Sequence, residues 1–151
     1  SVLWVLGYRY SFLRRISALR DAKESAERTL EMIGLKDRRE KMAGELTYAE
    51  QRALEIGITI ASGANVILLD EPTAGMSRSE TDTAVELISR VTEGKTLLMV
   101  EHDMGVVFDL ADRISVLVYG EVIASGTPAE IRMSKKVQEA YLGTQIDGDE
   151  E

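Results

Sequence analysis

The chain has 151 residues and a net charge of −8, from 26 acidic and 18 basic side chains. This length allows one domain or a large part of one. The acidic balance argues against a general binder of nucleic acid or of anionic membranes, because such a protein needs a basic surface. The sequence has no Cys and a single His, which excludes disulfides and Cys-based metal sites and leaves little scope for a His-rich site.

No apolar run reaches the roughly 20 residues of a membrane-spanning helix, and no signal peptide is visible. We therefore expect a soluble, cytoplasmic domain. The first 20 residues combine an apolar run with aromatic and Arg side chains. That stretch fits either a surface that docks a partner or a helix whose aromatic side packs inward.

Two capping boxes predict the first two helices. Asp21 and Glu24 resemble a box that would open a helix ending near Gly34. Thr47 and Glu50 form a Thr-x-x-Glu box, so Thr47 is expected to begin the second helix. The amino end of that helix suits a phosphate because its backbone N–H groups lack helical partners. The alternative is an ordinary, well-capped core helix.

The run from Val66 to Asp70 predicts a strand buried on both faces, which Pro72 would end. Asp70 and Glu71 would then lie at its carboxyl end, where open α/β sheets bind ligands. Two such carboxylates suit phosphoryl transfer, since one can hold a divalent cation and the other can activate a water. The alternative is an acidic pair that ends a strand and caps the next helix.

A second buried strand is predicted over Thr96–Val100, one helix later, and it is followed by His102. Because a βαβ unit gives neighbouring parallel strands, His102 is expected close to Glu71, although a purely structural His remains open. Gly94-Lys95-Thr96 resembles the end of a phosphate-binding loop. We reject that reading because Ser89 stands where the motif needs Gly and because a helix leads into a strand here.

The carboxyl-terminal part predicts a short helix, a hairpin and two further helices. The hairpin would turn at Tyr119-Gly120, and Thr127 would cap a helix that has Pro128 at its first position. The last helix would stop at Gly143, leaving residues 144–151 as a disordered acidic tail.

In this order, the motifs between Asp21 and Gly143 resemble the carboxyl-terminal half of an ABC-transporter nucleotide-binding domain. Val66–Asp70 resembles the Walker B strand, and Leu46–Arg52 lies where the family signature Leu-Ser-Gly-Gly-Gln precedes it. Two stretches, Thr127–Ile131 and Val137–Gly143, look most similar to ATPases of branched-chain amino-acid importers.

The resemblance implies a role for each motif residue. Asp70 would hold Mg²⁺, Glu71 would be the catalytic glutamate that orients the attacking water or accepts its proton, and His102 would contact the γ-phosphate. The residues that would reach ATP on a partner domain are Thr47, Tyr48, Ala49, Glu50 and Gln51. The D-loop that would cross the dimer interface comprises Ala74, Gly75, Met76 and Ser77. The signature has Ser, Gly, Gly and Gln where this chain has Thr47, Tyr48, Ala49 and Glu50. Thr47 keeps a hydroxyl, and Glu50 would place a negative charge near a phosphate unless it turns back into the capping box.

The implied fold is α/β: a partial P-loop NTPase-like domain with a mostly parallel sheet, flanking helices and a helical subdomain segment. Residues 1–143 would be the carboxyl-terminal part of an ABC ATPase domain, with a helical segment over about 1–62 and an α/β core over 63–143. The family's phosphate-binding loop, adenine-stacking aromatic residue and Q-loop have no counterpart here. The resemblance therefore implies a truncated domain that is inactive alone.

The implied function is that of the ATP-binding and ATP-hydrolysing subunit of an ABC importer for branched-chain amino acids. ATP and Mg²⁺ would be its cofactors. Its partners would be a second ATP-binding subunit, in a homo- or heterodimer, and transmembrane permease subunits. The permease subunits would hold it on the inner face of the membrane. No nucleic-acid partner is expected. The alternative is a non-catalytic fragment that self-associates through exposed apolar sheet edges. An ATPase of DNA repair would need heptad-repeat helices or a basic groove, and the sequence has neither.

Overall fold

The computed structural model describes residues 20–146, with side chains from 22 to 140. The predicted aromatic and basic stretch before residue 20 lies outside the described residues, as do residues 147–151. The chain divides into two compact units, residues 1–102 and residues 103–151. Each unit is described by itself.

From residue 20 onward, the first unit contains three α-helices and a pair of strands. In chain order these are α1 (Arg20–Met32), α2 (Tyr48–Ala61), β1 (Val66–Asp70), α3 (Arg78–Val91) and β2 (Thr96–Val100). Helix α1 already includes Arg20, so Asp21 lies inside it and the predicted capping box at Asp21 is wrong. Thr47 and Ser77 do cap α2 and α3, each with a Glu three residues later that bonds back to the cap.

Helices α1 and α2 pack closely at Gly57. A Cβ atom at this glycine would lie 2.7 Å from Ile33 Cδ1 and 3.4 Å from Thr29 Cγ2. Both Ile33 and Thr29 are buried. The absence of a side chain at Gly57 is therefore what allows the two helices to approach each other.

Strands β1 and β2 are parallel neighbours, as the βαβ pattern predicts. The register pairs Val66 with Thr96 and Asp70 with Val100. Helix α3 contributes Leu87, Ile88 and Val91 to the core. Ile67 and Ile88 are the largest fully buried side chains of the described residues.

The prediction that both strands are buried on both faces is wrong. Alternate residues face solvent: Val66 is 55% exposed, Leu68 66%, Leu98 60% and Val100 60%. Since side chains alternate across a strand and the register is direct, these four residues share one face. We call them the bare sheet face. Within the described residues no layer covers that face, which is why an apolar run typical of a fully buried strand is half exposed.

Up to residue 146, the second unit contains a hairpin and three α-helices. In chain order these are α4 (Met104–Leu110), β3 (Ile114–Val118), β4 (Glu121–Gly126), α5 (Pro128–Met133) and α6 (Lys135–Ile146). The hairpin is antiparallel, with a register shift between Val116 and Leu117, and its core cluster is Ile114, Ile131 and Val137. Helix α6 continues through Gly143, so the predicted stop at Gly143, and with it a tail beginning at residue 144, is wrong.

Candidate active site at the carboxyl end of the parallel strands

The parallel pairing brings the ends of β1 and β2 together. Asp70 pairs with Val100, so the residues that follow each strand leave the sheet at the same edge. Glu71 comes directly after β1, and Glu101 and His102 come directly after β2. Pro72 then ends the β1 segment, because it has no N–H group for a ladder.

Glu71 and His102 lie side by side at this edge. Glu71 Oε1 is 3.6 Å from His102 Nδ1, and both side chains are exposed. The Glu71 N–H donates to the Val100 carbonyl at 2.9 Å. The expected proximity of His102 to Glu71 is thus confirmed. Two exposed groups with acid–base capacity at one sheet edge can together contact a phosphate and a water.

Asp70 fits a magnesium ion that is held mainly by water and phosphate. Its carboxylate is exposed and borders an open cleft that Arg52 and Glu55 also line. Among the side chains that the structure describes, no three His, Asp or Glu groups cluster as a metal cage. Mg²⁺ is commonly bound through one or two carboxylates together with waters and substrate phosphates, and this donor set suits that mode.

The signature segment is a capped helix start. The Thr47 hydroxyl accepts the Glu50 N–H at 3.3 Å, and Glu50 Oε2 accepts the Thr47 N–H at 2.9 Å. Glu50 Oε1 also accepts a hydrogen bond from Arg38 Nε at 2.8 Å. This Arg38 hydrogen bond, with the Thr47 N–H second, holds the pKa of Glu50 below its ordinary value of 4.5. Glu50 therefore turns back into the capping box, and Arg38 offsets its charge.

The remaining signature residues make local contacts. Gln51 Nε2 donates to the Leu46 carbonyl at 3.1 Å. Tyr48 is half exposed, and its hydroxyl accepts from Arg52 Nε at 3.1 Å while the guanidinium lies 5.3 Å from the ring centroid. Ala49 lies in the first turn of α2 and is half-buried. The helix start thus carries one exposed aromatic ring, braced by Arg52.

The predicted D-loop is a tight turn that leads into α3. The Ala74 N–H donates to the Glu71 carbonyl, and the Met76 N–H donates to the Thr73 carbonyl, both at 3.2 Å. Gly75 has a φ of 76°, which glycine adopts without strain.

The predicted signature segment and the predicted D-loop are neighbours in this unit. A Cβ atom at Gly75 would lie 3.7 Å from Tyr48 Cε1. Ser77 caps α3, where its hydroxyl donates to Glu80 Oε2 at 2.6 Å. The structure thus brings Tyr48 next to the D-loop and Glu71 next to His102.

Sequence reasoning missed three residues of this region. Glu101 and Thr73 form a buried pair beside Glu71 and His102. Arg38, which lies between α1 and α2, pairs with Glu50. The signal that was available for Glu101 is its position between a strand and the only His. No local pattern marks Arg38, because its partner is 12 residues away.

Comparison with known proteins agrees with this fold. A family model described as ABC transporter matches residues 6–74, and one described as branched-chain amino acid ATP-binding cassette transporter matches residues 121–147. Among solved structures, the ADP conformation of MJ1267, an ATP-binding cassette of an ABC transporter, matches with a TM-score of 0.72 and 26% identity, over 91% of this chain and 55% of that chain. The fold is therefore that of ABC ATPase domains, a class of P-loop NTPases.

Two curated relatives show which ABC ATP-binding proteins this chain is similar to. The chain is 40% identical over 125 residues to the high-affinity branched-chain amino acid transport ATP-binding protein LivG of Salmonella typhimurium. It is 39% identical over 126 residues to the corresponding protein BraF of Pseudomonas aeruginosa. The chain belongs to the ABC transporter ATP-binding domains and is homologous to LivG and BraF.

The chain spans about half the length of the curated relatives it matches. Both alignments cover 82% of this chain and 49% of the relative. Within the described residues, no helix combines the length and the apolar character needed to cross a membrane.

Proposed function

We propose that this chain forms part of the ATP-hydrolysing subunit of an ABC importer for branched-chain amino acids. The observation that carries the proposal is the 3.6 Å approach of Glu71 to His102 at the carboxyl end of a parallel strand pair. The relatedness to LivG and BraF supports the transport role and the class of solute.

In the proposed mechanism, Glu71 orients the attacking water and accepts its proton. His102 contacts the γ-phosphate and holds that water in line with it. Asp70 would hold Mg²⁺, which when bound neutralises phosphate charge. The amino end of α2, from Thr47 to Gln51, reaches the nucleotide of a second ATP-binding subunit, and Ala74–Ser77 lies at the interface between the two subunits. Permease subunits keep the assembly on the cytoplasmic face of the membrane.

The decisive experiment replaces Glu71 in a complete ATP-binding domain that contains this sequence. Glu71→Gln should lower ATP turnover by about 100-fold or more, because it removes the general base, and should leave ATP binding intact. Glu86→Gln is the matched control, since Glu86 is exposed on α3. Turnover that survives Glu71→Gln would refute the role of this carboxylate.

A second candidate function is a non-catalytic module that associates with a second copy of itself. The bare sheet face favours it, because four large apolar side chains, each more than half exposed, lie side by side on one face of the strand pair. An exposed apolar patch of this kind favours association. The net charge of −8 opposes association between like copies.

Light scattering and calorimetry on the chain itself separate the two candidates. Self-association through this face predicts a dimer or larger species that Leu68→Lys converts to a monomer, whereas Ser89→Lys on exposed α3 has no effect. Titration with Mg-ATP then reports whether the chain alone binds nucleotide. Binding that is lost in Asp70→Ala would contradict the non-catalytic candidate.

A further inference from the structure

A buried carboxyl group lies directly behind the candidate site. The Glu101 side chain is 1% exposed, and Thr73 is 5% exposed. Thr73 donates to Glu101 Oε1 through its backbone N–H at 3.1 Å and also through its hydroxyl. The His102 N–H donates to Glu101 Oε2 at 3.0 Å. Each oxygen of Glu101 therefore accepts a backbone N–H from a different site segment.

These bonds fasten the turn that carries Glu71 on both sides of that residue. On one side the Glu71 N–H bonds to the Val100 carbonyl at 2.9 Å, and on the other side Thr73 bonds to Glu101. Glu71 itself has a φ of 43°, a conformation that residues other than glycine adopt rarely and that persists only where the surroundings impose it. The two attachments to the end of β2 supply that constraint.

We propose that Glu101 is a positioning residue that holds the Glu71–Thr73 turn against the end of β2 and so sets the geometry between Glu71 and His102. The inference rests on the function proposed above, in which Glu71 and His102 act on the same water and phosphate. Glu101 does not touch the reacting atoms in this role. It acts through Thr73 on one side and through His102 on the other, where Glu101 Oε2 accepts the backbone N–H and lies 3.8 Å from the imidazole Nδ1.

The hydrogen-bond pattern makes this role specific to a carboxyl group. Both oxygens of Glu101 face backbone N–H groups, which can only donate. A glutamine has one oxygen and one NH₂ group, so one of the two backbone donors would face another donor. Glu101→Gln must therefore lose the attachment to Thr73 or the attachment to His102. A buried donor without an acceptor is unfavourable, so one segment is expected to shift.

The single His gives a direct readout of the positioning in this chain. NMR of the imidazole ring would be compared for Glu101→Gln, Thr73→Val and Thr73→Ser. Thr73→Val keeps the shape of the side chain but removes its hydroxyl donor, and Thr73→Ser keeps the donor. Glu101→Gln moves the imidazole signals in part by removing a charge 3.8 Å from Nδ1, so the Thr73 variants, which change no charge, carry the readout. We expect the signals to move in Thr73→Val and to return in Thr73→Ser. Glu86→Gln, on exposed α3, should leave them unchanged.

The combined variant decides whether Thr73 acts through Glu101. If it does, Thr73→Val moves the imidazole signals in the wild-type background and adds little in the Glu101→Gln background, as expected for residues that act as one unit. An imidazole signal that is unmoved by Thr73→Val, or that moves by the same amount in both backgrounds, overturns the proposal.

Turnover in a complete domain with this sequence supplies the second readout. Glu101→Gln and Thr73→Val should lower kcat at least about tenfold, because small misplacements of reacting groups are costly, with little change in KM for ATP. Thr73→Ser should restore kcat, and an unchanged kcat in Thr73→Val overturns the positioning role. Failure of the proposed function would give a different result. The wild-type complete domain would then not hydrolyse ATP, whereas the imidazole signals would still move in Thr73→Val and return in Thr73→Ser.

Discussion

The turn after β1 and the start of α2 both belong to the candidate site, but they are held in opposite ways. The turn is fixed by buried contacts between residues 28 positions apart, from Thr73 to Glu101. The helix start is fixed by exposed contacts three positions apart, from Thr47 to Glu50. One half of the site therefore depends on the fold of the whole unit, whereas the other half is a local motif that the sequence largely specifies.

The same chemical change, Glu to Gln, can be made in both regions and should affect their stability differently. Glu101→Gln should lower the free energy of unfolding by about 1–3 kcal/mol, because it leaves a buried donor without an acceptor. Glu50→Gln should have a much smaller effect, since its amide oxygen can still accept the Thr47 N–H and its Arg38 partner is exposed. Urea unfolding of both variants measures the difference. Equal losses would show that the two regions do not differ as described.

Beyond its capped start, helix α2 depends on a tertiary contact with α1, and this contact can also be tested. Gly57→Ala places a methyl group 2.7 Å from Ile33 Cδ1, and overpacking of this kind costs about 1–3 kcal/mol. Ile33→Val removes that Cδ1 atom, so the double variant should recover much of the loss. Thermal unfolding of the wild type, the two single variants and the double variant gives the coupling free energy between the two positions. Losses that simply add would mean that the helices do not meet closely at this glycine.

The local motif itself has a smaller expected effect. Thr47→Ala removes the cap of α2 and should cost about 1 kcal/mol, as helix caps generally do. Thr47→Ser keeps the hydroxyl and serves as the matched control. Chemical denaturation followed by circular dichroism is the measurement. A Thr47→Ser chain as destabilised as Thr47→Ala would rule out the capping explanation.

The smallest expected effect is the pH dependence of Glu50. Arg38 first and the Thr47 N–H second lower the pKa of Glu50 in the folded state below 4.5. The ionised Glu50 carboxylate therefore stabilises the folded state at pH values above the pKa that Glu50 has in the unfolded chain. This stabilisation is lost as the pH falls through the lower pKa of Glu50 in the folded state. Arg38→Gln removes the larger cause, so the midpoint of the Glu50 titration should move upward.

NMR of the Glu50 carboxyl carbon between about pH 2 and 6 covers this range. Arg39→Gln is the control, because Arg39 contacts Glu27 and Glu40 rather than Glu50. A titration midpoint that Arg38→Gln leaves in place would contradict the assigned cause.

The sequence predicts the local contacts better than the contacts between segments that are distant in the chain. The caps at Thr47 and Thr127 are confirmed, because a cap and the Glu three residues later lie within one turn and need no tertiary context. The parallel pairing of β1 with β2 and the approach of Glu71 to His102 are also confirmed. Both follow from the connectivity rule for βαβ units.

The errors arise where neighbours that are distant in sequence decide the outcome. The apolar run over Val66–Asp70 indicates a strand buried on both faces, but burial depends on what lies above the sheet, and Leu68 is 66% exposed. The pairing of Thr73 with Glu101 joins segments that no local pattern connects. Gly143 fits a helix stop, yet α6 continues past it, because glycine only weakens a helix interior by about 1 kcal/mol.

The left-handed backbone at Glu71 has a consequence for how this position tolerates change. A non-glycine residue with a φ of 43° stores about 1 kcal/mol or more of strain, whereas glycine adopts this conformation freely. Glu71→Gly would therefore relax the turn while it removed the carboxylate. A screen of variants for folded yield would enrich glycine at this position, and a screen for ATP turnover would deplete it. The two screens together would separate residues kept for stability from residues kept for chemistry.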